Sequence, residues 1–452
     1  MADKFRQDLT QGSVGKQLIK FSVPFLLSNL LQAFYSVADM IIVGRFCGTH
    51  GITGVNIGSQ INILVTGAAF GLAVGGTVLI AQYGGAKKFD EQRKTVGTLV
   101  SLYMLLSIIC TAVMLFAQNF LLDILRTPQV AYIETANYYK ICMSGLAFMF
   151  AYNVISAVLR GMGDSKRPLY FVIIATFANI IGDIILVGPL KMGAAGAAYA
   201  TVAAQALSVL LSLIYLSKNS FFSGYSINDF KIDKDKTKML LKLGLPSSVQ
   251  QLVISFSFLS LTALVNSLPN ADIASACQGI GGKVNSFAVL PALAMSSAVS
   301  SMAGQNIGAG NTERAKKTTL TGIGISFAIS LVVFAIVEIF PQPIISLFDT
   351  NPEVIRIGTE YMRYIALDYL FVPFVFCING LAIGAGYSNF ALFNAFFSSI
   401  LFRVPLAYLI VKFTSLGFNG IGLAMGLASV SSLIIGFIYF ARGSWKKPKI
   451  KL

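Results

Sequence analysis

The sequence predicts an all-α integral membrane protein with twelve transmembrane helices in two six-helix lobes, related by a pseudo-two-fold axis along the membrane normal. Composition is the first reason: 55% of residues are apolar and 12% charged, and the mean hydropathy of +0.74 is far from soluble globular usage. An internal repeat is the second. Ile57-Gly58 with Asn62 returns as Ile280-Gly281 with Asn285, Gln82 with Gly85-Ala86 as Gln305 with Gly308-Ala309, and Gly161-Met162-Gly163 with Ser165 as Gly384-Ala385-Gly386 with Ser388, at a spacing of about 223 residues. The third is that basic residues cluster in every second connection. Six crossings per copy is an even number, so both copies enter the membrane in the same direction, as in parallel-repeat transporters.

A helical span needs about 20 mainly apolar residues, and twelve runs qualify. The first copy supplies 19–43, 53–82, 96–117, 137–159, 169–190 and 194–216; the second supplies 240–266, 275–303, 319–340, 362–383, 391–412 and 418–441. The first run is too long for a signal-peptide core. The second carries Gly71, Gly75 and Gly76, which suit close helix packing in lipid. Pro24 and Pro246 sit early in the first and seventh runs, where a missing N–H permits either a static kink or a gating bend. Continuous apolar runs also exclude a β-barrel, whose strands alternate over about ten residues.

A net charge of +15 could suggest nucleic acid, but the placement of the cations points to lipid. Lys4, Arg6, Lys16 and Lys20 precede the first span, and Lys87, Lys88, Arg93 and Lys94 follow the second. Arg160, Lys166 and Arg167 follow the fourth, Lys218, Lys231, Lys234, Lys236 and Lys238 the sixth, Arg314, Lys316 and Lys317 the eighth, and Arg442, Lys446, Lys447, Lys449 and Lys451 the twelfth. The alternate loops hold only Arg45, Arg126, Lys191, Arg356 and Lys412. The positive-inside rule then puts both termini in the cytoplasm. The expected domains are an N-terminal lobe over 1–217, a polar cytoplasmic linker over 218–239, and a C-terminal lobe with a basic tail over 240–452. Trp445 just past the last span is an expected headgroup anchor. The five cysteines are dispersed and lack metal or redox spacing, which reads as packing.

Ionisable side chains within spans cost about 2.5–3.5 kcal/mol each at the helix centre, so they persist where they face a cavity or a partner. Asp39 in span 1 and Asp183 in span 5 stand out, accompanied by Gln32, Asn153, Asn179 and Thr201. Gln32, Tyr35, Ser36 and Asp39 share one helix face, as do Asn179 and Asp183. If they converge, Asp39, Asn179, Asp183 and Thr201 make an oxygen-lined pocket suited to a hard cation such as Na+. Two carboxylates in a low-dielectric pocket can instead hold a proton. The bland alternative is a solvated Asp39 and an Asn179–Asp183 pair that merely glues helices. In the second copy, Asp39 aligns with Leu261, Asn179 with Arg403, Asp183 with Ala407 and Thr201 with Met425, so the acidic site belongs to one lobe. Asp368 in span 10 is the main acid of the second; it could meet a cationic substrate, or pair with Arg363 or Arg403.

Enzyme chemistry finds little support. Asp233-Lys234-Asp235 reads as a solvated stretch of linker, the single His50 lies in a short loop, and no P-loop appears.

Pro24, Gln32 and Asp39, then Arg160-Gly161-Met162-Gly163-Asp164, Asn179-Ile180-Ile181-Gly182-Asp183, and Gly193-Ala194-Ala195-Gly196-Ala197-Ala198-Tyr199-Ala200-Thr201 together resemble the multidrug and toxic compound extrusion (MATE) family of secondary transporters, over essentially the whole chain. The resemblance implies a V-shaped pair of six-helix lobes that exports amphiphilic, mainly cationic compounds in exchange for Na+ or H+. It implies a coupling site at Asp39, Asn179, Asp183 and Thr201, and cavity positions at Gln32, Tyr138 and Asn153. Some relatives add coupling acids in spans 7 and 10; span 7 here has Gln250, Gln251 and Asn266 but no acid, and Asp368 matches weakly. The expected setting is a multi-pass protein of the plasma (cell inner) membrane, a monomer, with small organic substrates and the bilayer as partners, no nucleic acid, and no cofactor beyond the coupling ion. The competing reading is a flippase for a lipid-linked saccharide, whose cavity should be basic.

Overall fold

The structure, a computed structural model, describes residues 5–125, 127–447 and 449; Lys4, Arg126, Lys451 and the side chain of His50, named above, lie outside the described residues. Among the described residues all regular structure is helical. Helices α1 (Val14–Gly48) and α2 (Gly51–Gly85) are separated at Gly48, whose φ of 64° and ψ of −157° leave the helical region. They are followed by α3 (Phe89–Phe116), α4 (Tyr132–Ser144), α5 (Leu146–Gly161), α6 (Lys166–Val187) and α7 (Gly193–Lys218). The second copy comprises α8 (Lys234–Asn266), α9 (Ala271–Gly308), α10 (Thr312–Ile339), α11 (Pro352–Ala366), α12 (Val372–Gly384), α13 (Ser388–Phe396), a π-helical stretch (Phe397–Arg403), α14 (Val404–Phe413) and α15 (Asn419–Arg442). Helix α1 contains Pro24 and α8 contains Pro246, each inside one continuous helix.

Among the described residues, ten helices are individually long and apolar enough to cross a membrane, and twelve spans result when two bent pairs each count as one. The spans read at 137–159 and 362–383 are bent. Gln129–Ser144 meets Leu146–Gly161 at 48°, and Pro352–Leu370 meets Val372–Gly384 at 40°. At the first break, a Cβ on Gly145 would lie 2.5 Å from Val202 Cγ2, so the backbone sits against α7 where no side chain fits.

The chain forms two compact units: residues up to Asp8 with Leu27–Gly244, and Leu9–Leu26 with Leu245–Leu452. The boundaries depart from the sequence expectation at both ends. Residues 9–26 pack in the second unit, where Leu9, Val14, Leu18 and Phe21 join a core with Met302, Ile307, Leu381 and Trp445. The buried indole donates to Phe440 O at 3.1 Å, so Trp445 closes that core. Residues 218–239 fold onto the first unit. Ser101 Oγ donates to Phe230 O at 2.5 Å, Arg93 Nη1 donates to Gly224 O at 2.6 Å, and Phe221 stacks on Tyr225 at 5.4 Å. The carboxylate of Asp233 accepts from the N–H groups of Asp235 and Lys236, each at 2.9 Å, which makes Asp233-Lys234-Asp235 the cap of α8.

The sequence repeat has a local structural basis. Helices α5 and α12 both end in a Schellman turn. Asp164 N donates to Leu159 O (2.8 Å) and Gly163 N to Arg160 O (3.0 Å); Tyr387 N donates to Ala382 O (2.7 Å) and Gly386 N to Ile383 O (2.9 Å). Gly163 and Gly386 hold φ of 90° and 86°, a conformation glycine adopts without penalty. Asp164 then accepts from the backbone of Lys166 and Arg167 and pairs with the Arg167 guanidinium, fixing the start of α6.

Candidate functional site

In the first unit, α1, α6 and α7 bring together the four residues expected to bind an ion or proton. Helices α6 and α7 approach closely because Gly182 faces Ala200: a Cβ on Gly182 would lie 2.9 Å from that of Ala200. The contact places Asn179 and Asp183, one turn apart on α6, beside Thr201 of α7. Asn179 Nδ2 donates to Thr201 Oγ1 at 3.3 Å. Asp39 of α1 lies within electrostatic reach of Asp183. Only 5% of Asp39, 3% of Asn179 and none of Asp183 is exposed, so Asp39 is not a solvated residue at a span end.

The polar atoms are left unsatisfied. Asp39 Oδ1, Asn179 Oδ1 and both carboxylate oxygens of Asp183 are buried without a hydrogen-bond partner. A buried acceptor without a donor costs about 1–3 kcal/mol, more if charged, and helix glue would not leave four of them. All are oxygens, the donor set of a hard cation, and a proton on either carboxylate would equally supply the missing donor.

Around this group lies an aromatic wall. Tyr35 and Tyr138 stand in the field of Asp39, and the Tyr138 hydroxyl shares a hydrogen bond of 3.2 Å with that of Ser59. Tyr152, which sequence reasoning passed over, also neighbours Tyr35, and its hydroxyl donates to Pro168 O at 3.4 Å. Cys142, read as packing, is buried beside Tyr138. Tyr152 was legible as the polar aromatic next to Asn153 in an apolar span; nothing in the spacing marked Cys142. Gln32 is exposed and Asn153 half-buried, and Asn153 Nδ2 donates back to Met149 O of its own helix at 2.9 Å.

Asp368 belongs to the second unit and is not part of this group. It sits in the short turn Leu367–Leu370 at the bend between α11 and α12, beside Ser429 and Arg403. Of the alternatives above, Arg403 is the cation beside it, whereas Arg363 Nε contacts Glu338 Oε1 at 3.6 Å. The positions equivalent to the acidic site are apolar here: Leu261, Ala407 and Met425 lie in the core of the second unit, and Arg403 occupies the place of Asn179.

An all-helical chain of two six-span repeats, with an oxygen-lined group buried at membrane depth in one of them, defines a membrane transporter. Comparison with known proteins gives the particular family. Residues 24–185 and 246–409 match the MatE family profile, and the chain belongs to that family. It is 32% identical over 98% of both chains to the probable multidrug resistance protein YpnP of Bacillus subtilis, and 28% identical to a probable multidrug resistance protein NorM of Thermotoga maritima, covering 97% of this chain and 94% of the relative. Among solved structures, a MATE transporter in the straight conformation superposes with a TM-score of 0.91 at 25% identity, over 97% of this chain and 98% of the other.

Proposed function

We propose that the protein is a secondary active antiporter that exports amphiphilic, mainly cationic organic compounds in exchange for Na+ or H+. The unsatisfied oxygens of Asp39, Asn179 and Asp183 carry this reading, because buried acceptors that lack a donor are completed by a cation or a proton. Thr201 holds Asn179 in place. The relatives described as multidrug resistance proteins support a small-molecule cargo, and an aromatic wall of Tyr35, Tyr138 and Tyr152 suits a flat cation, with Gln32 and Asn153 contributing polar contacts. Ion occupancy shifts the balance between outward-open and inward-open states only through unequal affinity for the two. Pro24 and Pro246 are the proposed bending points of that change. The proposed setting is a monomer in the plasma membrane, and the placement of the basic connections supports cytoplasmic termini.

Uptake of a fluorescent organic cation into proteoliposomes tests the proposal, with a Na+ gradient or a pH gradient imposed separately. Accumulation driven by one gradient in the wild type, and abolished in Asp183→Asn, is the expected result and names the ion. Folded wild-type protein that moves no cation under either gradient would sink the antiport reading and favour a lipid-linked cargo.

A further inference from the structure

The second unit holds a buried charged group that the ion site does not use. Its anchor is Arg403, the last residue of the π-helical stretch Phe397–Arg403. Pro405 explains that stretch: it lacks the N–H that would bond to Leu401 O, and its ring crowds that carbonyl, so the helix widens. Ser257 Oγ of α8 donates to Ser399 O at 2.9 Å and secures the widened turn. The next residue, Phe258, lies under the Arg403 guanidinium, with Cζ 5.2 Å from the ring centroid, within cation–π range.

The guanidinium is nevertheless incomplete. Arg403 Nε and Nη1 are buried without a hydrogen-bond partner, and so is Asp368 Oδ1. Asp368 is close enough to attract Arg403, yet these atoms do not pair with each other. Phe258 is 38% exposed and Arg403 half-buried, so the group lies near the surface of the unit although the unpartnered atoms themselves are covered. Adjacent Nε and Nη donors form a planar fork that matches a carboxylate or phosphate, while a free carboxylate oxygen matches an ammonium.

We propose that the second unit carries a receptor for a zwitterionic headgroup, with Arg403 binding the acidic group and Asp368 the ammonium of the same amphiphile. The proposal rests on the transport reading for its cargo and extends it: the ion site serves exchange, and the second unit selects substrates that carry an acid beside their amine. A small amphiphile and a zwitterionic phospholipid share this chemistry.

Two fluorescent probes that differ by one carboxylate provide the test. Dansylcadaverine is a cation; Nε-dansyl-lysine is the same skeleton with an α-carboxylate. Equilibrium binding to full-length protein in dodecyl maltoside micelles, whose uncharged headgroup cannot compete, with no gradient, is expected to favour dansyl-lysine about tenfold, the effect of one charge-assisted contact. Arg403→Gln should bring the ratio to about one, Arg403→Lys should keep part of the preference, and Asp368→Asn should weaken both probes while retaining it. Equal binding by the wild type, or an undiminished preference in Arg403→Gln, overturns the proposal. If Arg403→Gln fails to fold, the wild-type ratio and Arg403→Lys decide the matter. Phosphatidylethanolamine added to the micelles separates the sources: displacement of dansyl-lysine from the wild type assigns the site to lipid, and no displacement assigns it to small amphiphiles. A strong preference without gradient-driven transport leaves the receptor standing and removes the antiporter; transport with equal binding does the reverse.

Discussion

Gly182 of α6 and Ala200 of α7 meet so closely that an added Cβ on the glycine would lie 2.9 Å from the alanine methyl. This contact sets the distance at which Asn179 reaches Thr201, so the geometry of the proposed ion site depends on the absence of a side chain one residue before Asp183.

Gly182→Val is therefore expected to destabilise the first unit by about 1–3 kcal/mol through overpacking and to separate Asn179 from Thr201. Thermal unfolding in detergent should show the loss, and ion-driven uptake should fall further than the change in folded fraction explains. Uptake that only follows the folded fraction would mean that the helix spacing is not functional.

Asp183→Asn should separate stability from activity in the opposite sense. The substitution removes a carboxylate without a donor and adds an N–H₂ group beside the unpartnered oxygens of Asp39 and Asn179, so the folded protein should be at least as stable as the wild type. Gradient-driven transport should be lost. A clear drop in thermal stability would show that the carboxylate is satisfied in the folded state and would argue for a structural role.

Arg314 holds the segment that begins the second unit. Its guanidinium donates to Gln11 O at 2.8 Å, Gly12 O at 2.9 Å and Gln17 Oε1 at 2.9 Å. Arg314→Ala should release residues 9–17, raising their amide exchange by about tenfold or more, with α6 and α7 unchanged. Unaltered exchange over 9–17 would assign the docking to the apolar contacts of Leu9, Val14 and Leu18 alone.

Pro405→Ala restores a backbone donor where the π-helix now accommodates its absence. The stretch Phe397–Arg403 should tighten to α-helix and turn Arg403 away from Phe258, leaving thermal stability equal or higher and reducing the preference for dansyl-lysine over dansylcadaverine. A retained preference would show that the widened turn does not position the guanidinium.

Much of the architecture was legible because lipid imposes strong rules. Apolar length identified the spans, and the cost of burying charge singled out Asp39 and Asp183, which the fold brings together. The bends at Gly145 and Phe371 escaped notice because apolar content runs through them unbroken, and hydropathy does not register direction. The alternative of Arg363 as partner for Asp368 had the same cause: its nearness in sequence said nothing of Glu338, which reaches it from α10. Residues 218–239 look like a solvated tether by charge, yet Phe221, Phe222, Tyr225 and Phe230 give them an apolar side that docks. The allegiance of residues 9–26 depends on long-range packing that a local pattern does not contain.

That allegiance has a consequence for biosynthesis. Leu18 and Phe21 leave the ribosome long before Trp445, which belongs to the core they complete. At about 5–20 residues per second, the interval between their emergence is roughly 20–90 s. During that time the segment is made but its core is incomplete, so the helix that opens the first repeat is among the last elements to reach its final place.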